Sequence, residues 1–524
     1  MNVLKCHSKV FYLITVVFIL HSIFALFPPL QGDEASFWEW SRHLALGYYA
    51  HPPMTAWLIA IVTGVFTTTQ YTVRLTSILL HTITLIYLYR LAMAISNNKA
   101  FSLVATLICS LMPLSMVLGT GITTDSSLIC FYTITVFYCR KAIIEGDNRS
   151  WYITAISCGG MLLSKFMAIL FFPGLFLFLL LNRKFRRLLW CKELHLSFLL
   201  AIAIFSPFLY WNYQNDWLTF QFNFLVRHQN LEFDLIKPLL YIGGQLLGAS
   251  PIFWITLTLF LCRMLCPFGN RYSETEDSTR ASLMLVSYLV AFPLLYFLFL
   301  SFHVRIGAHW AAVVYPPGSV LIAAWFYASG KTVNFESVSR GLGLKISLVI
   351  SAALLIAVTA PIFNPKLFFP DRLIYTEKIG EDQPLLSHYY GWNAVGEKIH
   401  QLEREWAGRS EGFFFTTRDY SIASMLGFYT PSHPQFYLMN FPKDGIHGKD
   451  FLIWEKGNKK IGANTIYVAD TLHSYHARLN GFFRQIKELP PLVIRDCEGR
   501  ILRIFYFTLG LHYLGGEPDN LSVM

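Results

Sequence analysis

Long apolar segments recur along this chain and limit its possible folds more than any other feature of the sequence. Most approach the length of a bilayer-spanning helix, which needs roughly 20 apolar residues. Of the 524 residues 54% are hydrophobic and only 14% are charged, and the mean hydropathy is +0.45. A soluble protein of this size could not bury so much apolar surface. We therefore predict a mainly α-helical, polytopic membrane protein with about eleven spans, at 10–30, 72–89, 100–118, 126–139, 151–164, 167–182, 194–210, 238–262, 281–302, 310–328 and 344–361.

Positive charge is distributed unequally between the two sets of loops that these spans define. The set on the amino-terminal side has 18 basic residues and the other set has 6, including the loops' span ends. Because basic residues are retained in the cytoplasm, the amino terminus is predicted inside and everything after residue 361 outside. These loops also account for the net charge of +10, so we do not predict nucleic-acid binding. The 18 are Lys5, Lys9, Arg90, Lys99, Arg140, Lys141, Arg149, Arg183, Lys184, Arg186, Arg187, Lys192, Arg263, Arg271, Arg280, Lys331, Arg340 and Lys345, and the 6 are Arg42, Arg74, Lys165, Arg227, Lys237 and Arg305.

The first outer loop and the carboxyl-terminal region depart from the apolar pattern. Loop 31–71 contains an apolar stretch, Met54 to Phe66, which is too short for a span and is predicted to lie along the interface as a helix. From residue 362 the composition becomes that of a soluble protein. We predict a transmembrane domain over 1–361 and an outer α/β domain over 362–524. Its expected elements are strands at 412–416, 435–438, 465–469 and 501–507 and a helix at 391–407.

Acids and cations that are far apart in the sequence reach the same outer face in this threading. Adjacent carboxylates at a membrane surface can share a proton or bind a cation, and a desolvated one can act as a general base. A lysine inside an apolar stretch is expensive unless it snorkels or binds an anion. Together the residues fit a phosphate clamp with a base opposite it. The candidates are Asp33, Glu34, His51, Asp125, Lys165, Arg227, His228, Arg305 and His309.

Each candidate also has a plain structural interpretation. The two acids at 33 and 34 could form a hydrated loop pair, and His51 before two prolines could mark a rigid turn. Thr124 or Asp125 could cap a helix that starts near Ser126. The cations, taken singly, could be snorkelling anchors. It is their convergence at one membrane face that favours an active site.

The order of these motifs resembles the bacterial integral-membrane glycosyltransferases of the GT-C superfamily. The branch is the one related to dolichyl-phosphate-mannose protein mannosyltransferases and lipid A aminoarabinose transferases. Gly32-Asp33-Glu34 is followed by Gly47-Tyr-Tyr-Ala-His51-Pro-Pro, then by Thr-Thr-Asp125 and Leu-Ser-Lys165. Further likeness lies in Pro207-Phe-Leu-Tyr-Trp211-Asn212, Ala308-His309-Trp310, Tyr315-Pro-Pro, Tyr390-Gly-Trp392 and Ala423-Ser-Met-Leu-Gly-Phe-Tyr429.

This resemblance implies a polyprenyl-phosphate-sugar donor, transfer with inversion and an active site formed by the first outer loop. By position, Asp33 corresponds to the candidate general base, Asp125 to a second carboxylate and Lys165 to a phosphate ligand. Glu34 occupies an acidic position whose role is less defined. A divalent cation held by Asp33, Glu34 or Asp125 is possible, since some relatives use a metal and others do not. The His51-Pro-Pro form is that of the bacterial branch, which favours a lipid or glycan acceptor over a protein.

The leading interpretation is an inner-membrane enzyme that moves one sugar from an undecaprenyl phosphate carrier to lipid A or lipopolysaccharide core. The active site and the carboxyl-terminal domain would face the periplasm. A rival is a transporter or flippase of lipid-linked sugars, which predicts polar residues near span centres and internal repeats. A third is a sensor anchored by its spans. The charges at one rim and the external domain favour the enzyme.

Overall fold

The chain forms two compact units, each with its own helices. The first comprises Met1–Leu26, Ala45–Gly47 and His51–Thr359, and the second Phe27–Leu44, Tyr48–Ala50 and Ala360–Met524. A short part of the first outer loop thus groups with the carboxyl-terminal region. The computed structural model describes residues 2–225, 232–265, 276–329, 332–379, 383–406, 412–439, 448–455, 460–470, 479 and 481–515, with side chains from residue 8 onward.

Helices dominate the first unit, which confirms the prediction of a mainly α-helical protein. They are separated by short turns and by 3₁₀ segments at Phe166–Leu170, Arg186–Trp190 and Ala308–Val314. In chain order the helices are α1 (Asn2–Leu26), α2 (Gly32–Arg42, in the second unit), α3 (Met54–Val65), α4 (Gln70–Ser96), α5 (Lys99–Ser110), α6 (Pro113–Thr120), α7 (Thr124–Ile144), α8 (Asn148–Leu162), α9 (Phe171–Leu181), α10 (Lys192–Gln214), α11 (Leu218–Phe224), α12 (Ile236–Ala249), α13 (Pro251–Leu265), α14 (Asp277–Ser301), α15 (Tyr315–Tyr327) and α16 (Gly341–Phe363).

The expected count of eleven spans is not confirmed. Among the described residues, seven helices are long and apolar enough to cross a membrane, or up to nine if each of two bent pairs is one span. The bends, 73° between α5 and α6 and 109° between α12 and α13, occur where Pro113 and Pro251 begin the second helix of each pair. The other two predicted spans correspond to α8 and to residues 166–181, which are shorter than a bilayer.

An almost entirely buried helix, α15, lies in the core of the first unit. The five residues of α15 from Val320 to Ala324 are all completely buried, and α4, α5, α13 and α14 surround them. This explains why the sequence of α15 shows no polar face. At the periphery, α10 and α16 expose large apolar side chains such as Leu199 and Val349, as helices facing lipid do.

A five-stranded mixed sheet forms the core of the second unit, in the order β4-β3-β5-β7-β6. β3 is parallel to both β4 and β5, and β7 is antiparallel to β5 and β6. The first two strands, β1 (Ala328–Ser329) and β2 (Thr332–Val333), form a separate small hairpin in the first unit. After α2, the helices and strands of the second unit are, in chain order, α17 (Trp392–Trp406), β3 (Phe413–Thr417), α18 (Tyr420–Tyr429), β4 (Phe436–Leu438), α19 (Lys449–Glu455), β5 (Asn464–Ala469), β6 (Phe483–Arg495) and β7 (Ile501–Tyr513).

The predicted strands and helix of this unit are confirmed, although β7 continues to Tyr513 beyond the predicted end at 507, and one long strand was missed. β6 contains Pro490 and Pro491, which are unfavourable inside a strand because proline cannot donate to the ladder. The structure accommodates them at the sheet edge, with a shift of register between Leu489 and Leu492 opposite β7. An edge strand with such an irregularity lacks the regular alternation on which the sequence prediction depends.

Candidate active site

A buried ion pair joins two helix ends in the first unit. Lys165 Nζ lies 2.9 Å from Asp125 Oδ1 and 2.7 Å from Oδ2, and only 8% and 4% of the two side chains are exposed. The sequence predicted both residues at one membrane face but did not predict that they are partners. A buried ammonium needs such compensation, because an isolated charge in an apolar environment is strongly unfavourable.

Local chain geometry explains how these two side chains meet. Asp125 lies in the first turn of α7, where the Oγ1 of Thr123 accepts a hydrogen bond from its backbone N–H at 3.2 Å. The predicted cap at Thr124 or Asp125 was therefore wrong by one or two residues, and the carboxylate is left available for Lys165. Lys165 follows the end of α8 in extended conformation, before the 3₁₀ segment Phe166–Leu170. This break directs its side chain away from the helix path.

His309 lies beside the same carboxylate. Its Nε2 is 3.9 Å from Asp125 Oδ2, and 45% of the side chain is exposed. The segment that carries it is fixed by Gln245 on α12, whose Nε2 donates to the Ala308 carbonyl at 3.1 Å and whose Oε1 accepts from the Tyr315 hydroxyl. Arg305 precedes this segment and is exposed. The structure therefore brings His309, Asp125 and Lys165 together.

Contacts at the start of α3, just after the buried His51, join it to the elements that carry the pair. Met54, at the start of α3, donates its backbone N–H to the Leu163 carbonyl at 3.0 Å, two residues before Lys165. Thr55 Oγ1 lies 3.2 Å from Ser127 Oγ, two residues after Asp125. The start of α3 thus contacts both segments that carry the ion pair.

Asp33 and Glu34 have different environments although they are adjacent in the second unit. Glu34 is 3% exposed, and its Oε2 accepts the backbone N–H of Gln31 at 2.8 Å as part of a helix cap for α2. Asp33 is exposed, and its Oδ1 accepts a hydrogen bond of 3.0 Å from the Tyr420 hydroxyl. Burial, followed by the charge and hydrogen bond of Asp33, raises the pKa of Tyr420 well above its usual value. Tyr420 is thus a protonated donor to a carboxylate in contact with solvent.

Small residues allow α2 and α18 to approach closely within the second unit. A Cβ built at Gly32 would lie 1.7 Å from Ser421 Oγ, so only glycine fits at this contact. One turn further along α2, Ser36 Oγ donates to Ser424 Oγ at 3.2 Å. Ser424 belongs to the string 423–429 noted in the sequence, which therefore has a packing role. The contact fixes the start of α18, where Tyr420 lies, next to Asp33.

A further carboxylate, not singled out in the sequence, contacts Tyr49 of the Gly-Tyr-Tyr-Ala-His motif. Asp450, at the start of α19, is 3% exposed and accepts the backbone N–H of Tyr49 at 2.8 Å. Burial raises the pKa of Asp450 to about 7, although this hydrogen bond opposes the shift. A lone acid in the carboxyl-terminal region gives no sequence signal for such a contact.

Two predictions remain: a divalent cation held by the acids, and phosphate contacts from Arg227 and His228 of the second outer loop. Within the described residues no group of three or more His, Cys, Asp or Glu side chains could hold a metal ion. The acids proposed as ligands include Glu34, which caps a helix, and Asp125, which binds Lys165. These residues do not form a metal-binding set, so we derive no step through a cation. Arg227 and His228 lie outside the described residues.

Comparison with known proteins agrees with the sequence motifs and the fold. A family model described as dolichyl-phosphate-mannose-protein mannosyltransferase matches residues 50–211. The lipid A galacturonosyltransferase RgtD of Rhizobium johnstonii is 24% identical over 343 residues, which cover 65% of this chain and 67% of that protein. ArnT from Cupriavidus metallidurans has a TM-score of 0.62 when bound to undecaprenyl phosphate and 0.60 in the apo state, at 14% identity. Both alignments cover 95% of this chain and 97% of ArnT.

The matched segment 50–211 contains His51, Asp125 and Lys165, all of which belong to the first unit. The fold shared with ArnT extends over nearly the whole of both chains. Residues 50–211 thus match a mannosyltransferase family model and the chain has the fold of ArnT, in agreement with the resemblance that its motifs carry.

Proposed function

We propose that this protein transfers one sugar from undecaprenyl phosphate to lipid A or lipopolysaccharide core in a single displacement that inverts the anomeric centre. The reaction takes place at the periplasmic face of a bacterial inner membrane. The names of the relatives support the two substrates, since RgtD is a lipid A galacturonosyltransferase and ArnT was crystallised with undecaprenyl phosphate. The excess of basic residues on the opposite side supports the orientation.

The observation that carries the proposal is the buried Asp125–Lys165 pair with His309 beside it. A membrane protein retains desolvated charges where a substrate, ion or proton pathway needs them. In the proposed reaction the leaving polyprenyl phosphate gains negative charge as its bond to the anomeric carbon breaks. Lys165, shared between Asp125 and this phosphate, stabilises that charge. Asp125 fixes the position of the ammonium through both carboxylate oxygens.

Further cations complete the proposed phosphate site. Arg305 is exposed and lies in the segment after α14, so its guanidinium can reach a phosphate at the membrane surface. His51 and His309 contribute imidazole donors, and Arg227 and His228 of the second outer loop are assigned to the same phosphate by their place in the sequence. Contacts of this type are each worth about 10²–10³-fold in rate where the site excludes water.

For the acceptor hydroxyl, Asp33 is the proposed general base. The acceptor hydroxyl forms a bond to the anomeric carbon, and its proton passes to the Asp33 carboxylate while the carrier phosphate departs with the bonding electrons. Asp33 suits this role because it is exposed to an incoming hydroxyl, whereas Glu34 is buried in a helix cap. Glu34 then supports the catalytic turn rather than meeting the acceptor. A positioned base typically contributes 10²–10⁴-fold.

The test is sugar transfer by membranes that contain wild-type protein or the Asp33→Asn variant. Each preparation receives a panel of undecaprenyl-phosphate sugars together with extracted lipid A and lipopolysaccharide, and the mass of the acceptor is followed. We expect a gain of one sugar for wild type and at least a 100-fold lower rate for Asp33→Asn at equal expression. The matched control is Asp371→Asn, which neutralises another exposed carboxylate of the second unit and should retain wild-type activity.

Two results would count against the proposal. Full activity of Asp33→Asn would remove Asp33 from the mechanism but leave the enzyme. Absence of transfer with every donor, together with movement of lipid-linked sugar across vesicles that contain wild-type protein, would favour the flippase alternative.

A further inference from the structure

We propose that Tyr420, in the carboxyl-terminal region, is a positioning residue for Asp33 and thereby makes that region part of the catalytic machinery. The inference rests on the proposed role of Asp33 as general base. Tyr420 contacts Asp33 and is not required to touch either substrate. Its hydroxyl donates to Asp33 Oδ1 across 3.0 Å, although the two residues are 387 positions apart in the chain.

The position of this hydroxyl is fixed by two independent features. Tyr420 is the first residue of α18, and the Asp419 carboxylate caps that helix by accepting the backbone N–H groups of Ser421 and Ile422 at 2.8 and 3.1 Å. The close contact between Gly32 and Ser421 then holds the start of α18 against the start of α2. Because each side is anchored in a helix terminus, the hydrogen bond does not depend on a flexible loop.

A donor at Oδ1 has two consequences for a carboxylate that acts as a base. It restricts rotation of the carboxylate, so that Oδ2 remains directed to one place for an acceptor hydroxyl. It also favours the ionised form, which is the form that can accept a proton. Tyr420 cannot replace Asp33 as the base, since burial and the nearby Asp33 charge raise the pKa of its own hydroxyl.

Other charged groups near this pair act in the opposite direction. Asp419 at the start of α18 interacts with the charges of both Asp33 and Asp470, and burial together with these two neighbours raises the pKa of Asp419. Asp470, which follows β5, is paired with the buried Arg503 at 2.9 Å. Glu34 lies on the same helix turn as Asp33. Asp33 thus has Asp419 and Glu34 as acidic neighbours, and the Tyr420 hydroxyl donates a hydrogen bond to it.

The experiment compares Tyr420→Phe with wild type for kcat, KM and the pH dependence of kcat/KM. We expect kcat to fall about 10-fold, KM for the lipid-linked donor to change less than 2-fold, and the acidic limb of the profile to move to higher pH. Asp419→Asn removes a like charge while retaining a side chain that can cap the helix, so it should move this limb to lower pH.

The matched control is Tyr429→Phe. Tyr429 lies on the same helix, and its hydroxyl accepts the backbone N–H of Leu30 at 2.8 Å, so the variant loses a contact between the same two segments without affecting Asp33 directly. It should lower thermal stability and leave the pH profile unchanged. An equal shift for both tyrosine variants, or none for Tyr420→Phe, would overturn the inference.

A second measurement does not require sugar transfer. Carbodiimide modifies protonated carboxyl groups, so the extent of Asp33 labelling against pH, read by peptide mass spectrometry, reports its ionisation. The midpoint should move to higher pH in Tyr420→Phe and stay unchanged in Tyr429→Phe. An unchanged midpoint in Tyr420→Phe overturns the inference even if the enzyme is active, whereas absence of transfer by wild type overturns the proposed function and leaves the labelling result intact.

Discussion

Neutralising one member of the Asp125–Lys165 pair should destabilise the first unit more than neutralising both members. The variants are Asp125→Asn, Lys165→Met and the double substitution. Asparagine keeps the shape of aspartate, and methionine replaces the aliphatic stem of lysine without its charge. Each single variant leaves one charge in a site where the side chains are only 4% and 8% exposed, whereas the double variant leaves none.

The size of the effect follows from the geometry. Coulomb's law at 2.7 Å and an effective dielectric constant of about 20 gives roughly 6 kcal/mol of attraction, much of which offsets the desolvation of the two groups. Removal of one partner from a buried pair typically costs about 3–5 kcal/mol, while replacement of both by neutral groups is often close to neutral. We therefore expect a coupling energy of about 2–4 kcal/mol between the two substitutions.

The assay measures the rate of thermal unfolding of the four proteins in one detergent by intrinsic tryptophan fluorescence, and transfer activity is measured separately before heating. Rates are compared because large membrane proteins seldom unfold reversibly. Both single variants should unfold faster than wild type, and the double variant should recover most of the loss. All three should transfer sugar poorly, since the phosphate ligand or its partner is missing. A double variant as unstable as the sum of the two single effects would refute the coupling, and a double variant with normal transfer would refute the catalytic role.

Three further predictions concern other parts of the structure. Gly32→Ala places a Cβ 1.7 Å from Ser421 Oγ, so it should cost about 1–3 kcal/mol of thermal stability, and Ser421→Gly in the same chain should restore part of the loss. Asp450→Asn should gain stability relative to wild type as the pH rises from 5 to 8. Burial raises the pKa of Asp450 to about 7 from an ordinary value of 3.8, so up to about pH 7 the unfolded wild type releases a proton that the native protein retains, and wild type loses stability with rising pH; melting temperatures at both pH values will show this. Cys497 is exposed in the second unit and should react with a membrane-impermeant maleimide in intact spheroplasts. A cysteine introduced at Arg187 should react only after lysis. The reverse pattern would show that the predicted orientation is inverted.

Much of the second unit could be predicted because its segments follow local rules. Four strands show the apolar runs or alternation of half-buried strands, and α17 shows a helical period, so their positions agree with the structure within a few residues. β6 was missed since Pro490 and Pro491 normally argue against a strand, and only the position at the sheet edge makes them tolerable.

In the first unit, the sequence predicts where the apolar segments lie but not how they bend or which side chains pair. Length and hydropathy locate apolar segments, but they do not reveal that Pro113 and Pro251 mark sharp bends. Similarly, the positions of Asp125 and Lys165 in the sequence predict a common face, while their direct ion pair depends on the break after α8.

The contact between Tyr420 and Asp33 could not be inferred from either residue alone. Tyrosine before an apolar helix is common, and 387 positions separate the two side chains. The small residues Gly32 and Ser421 could have provided a signal, since small side chains on two helices permit close approach. That signal becomes specific only when the two helices are known to be neighbours.

The central claim is a direct displacement at the anomeric carbon by an acceptor hydroxyl that Asp33 deprotonates, and the most direct test is the configuration of the transferred sugar. The product of wild-type protein with a donor of known anomeric configuration is isolated and its linkage determined by NMR, with a search for sugar bound covalently to the protein. We predict the linkage opposite to that of the donor and no covalent adduct. Retention of configuration, or a sugar attached to Asp33 or Asp125, would contradict the account because it would make a carboxylate the nucleophile.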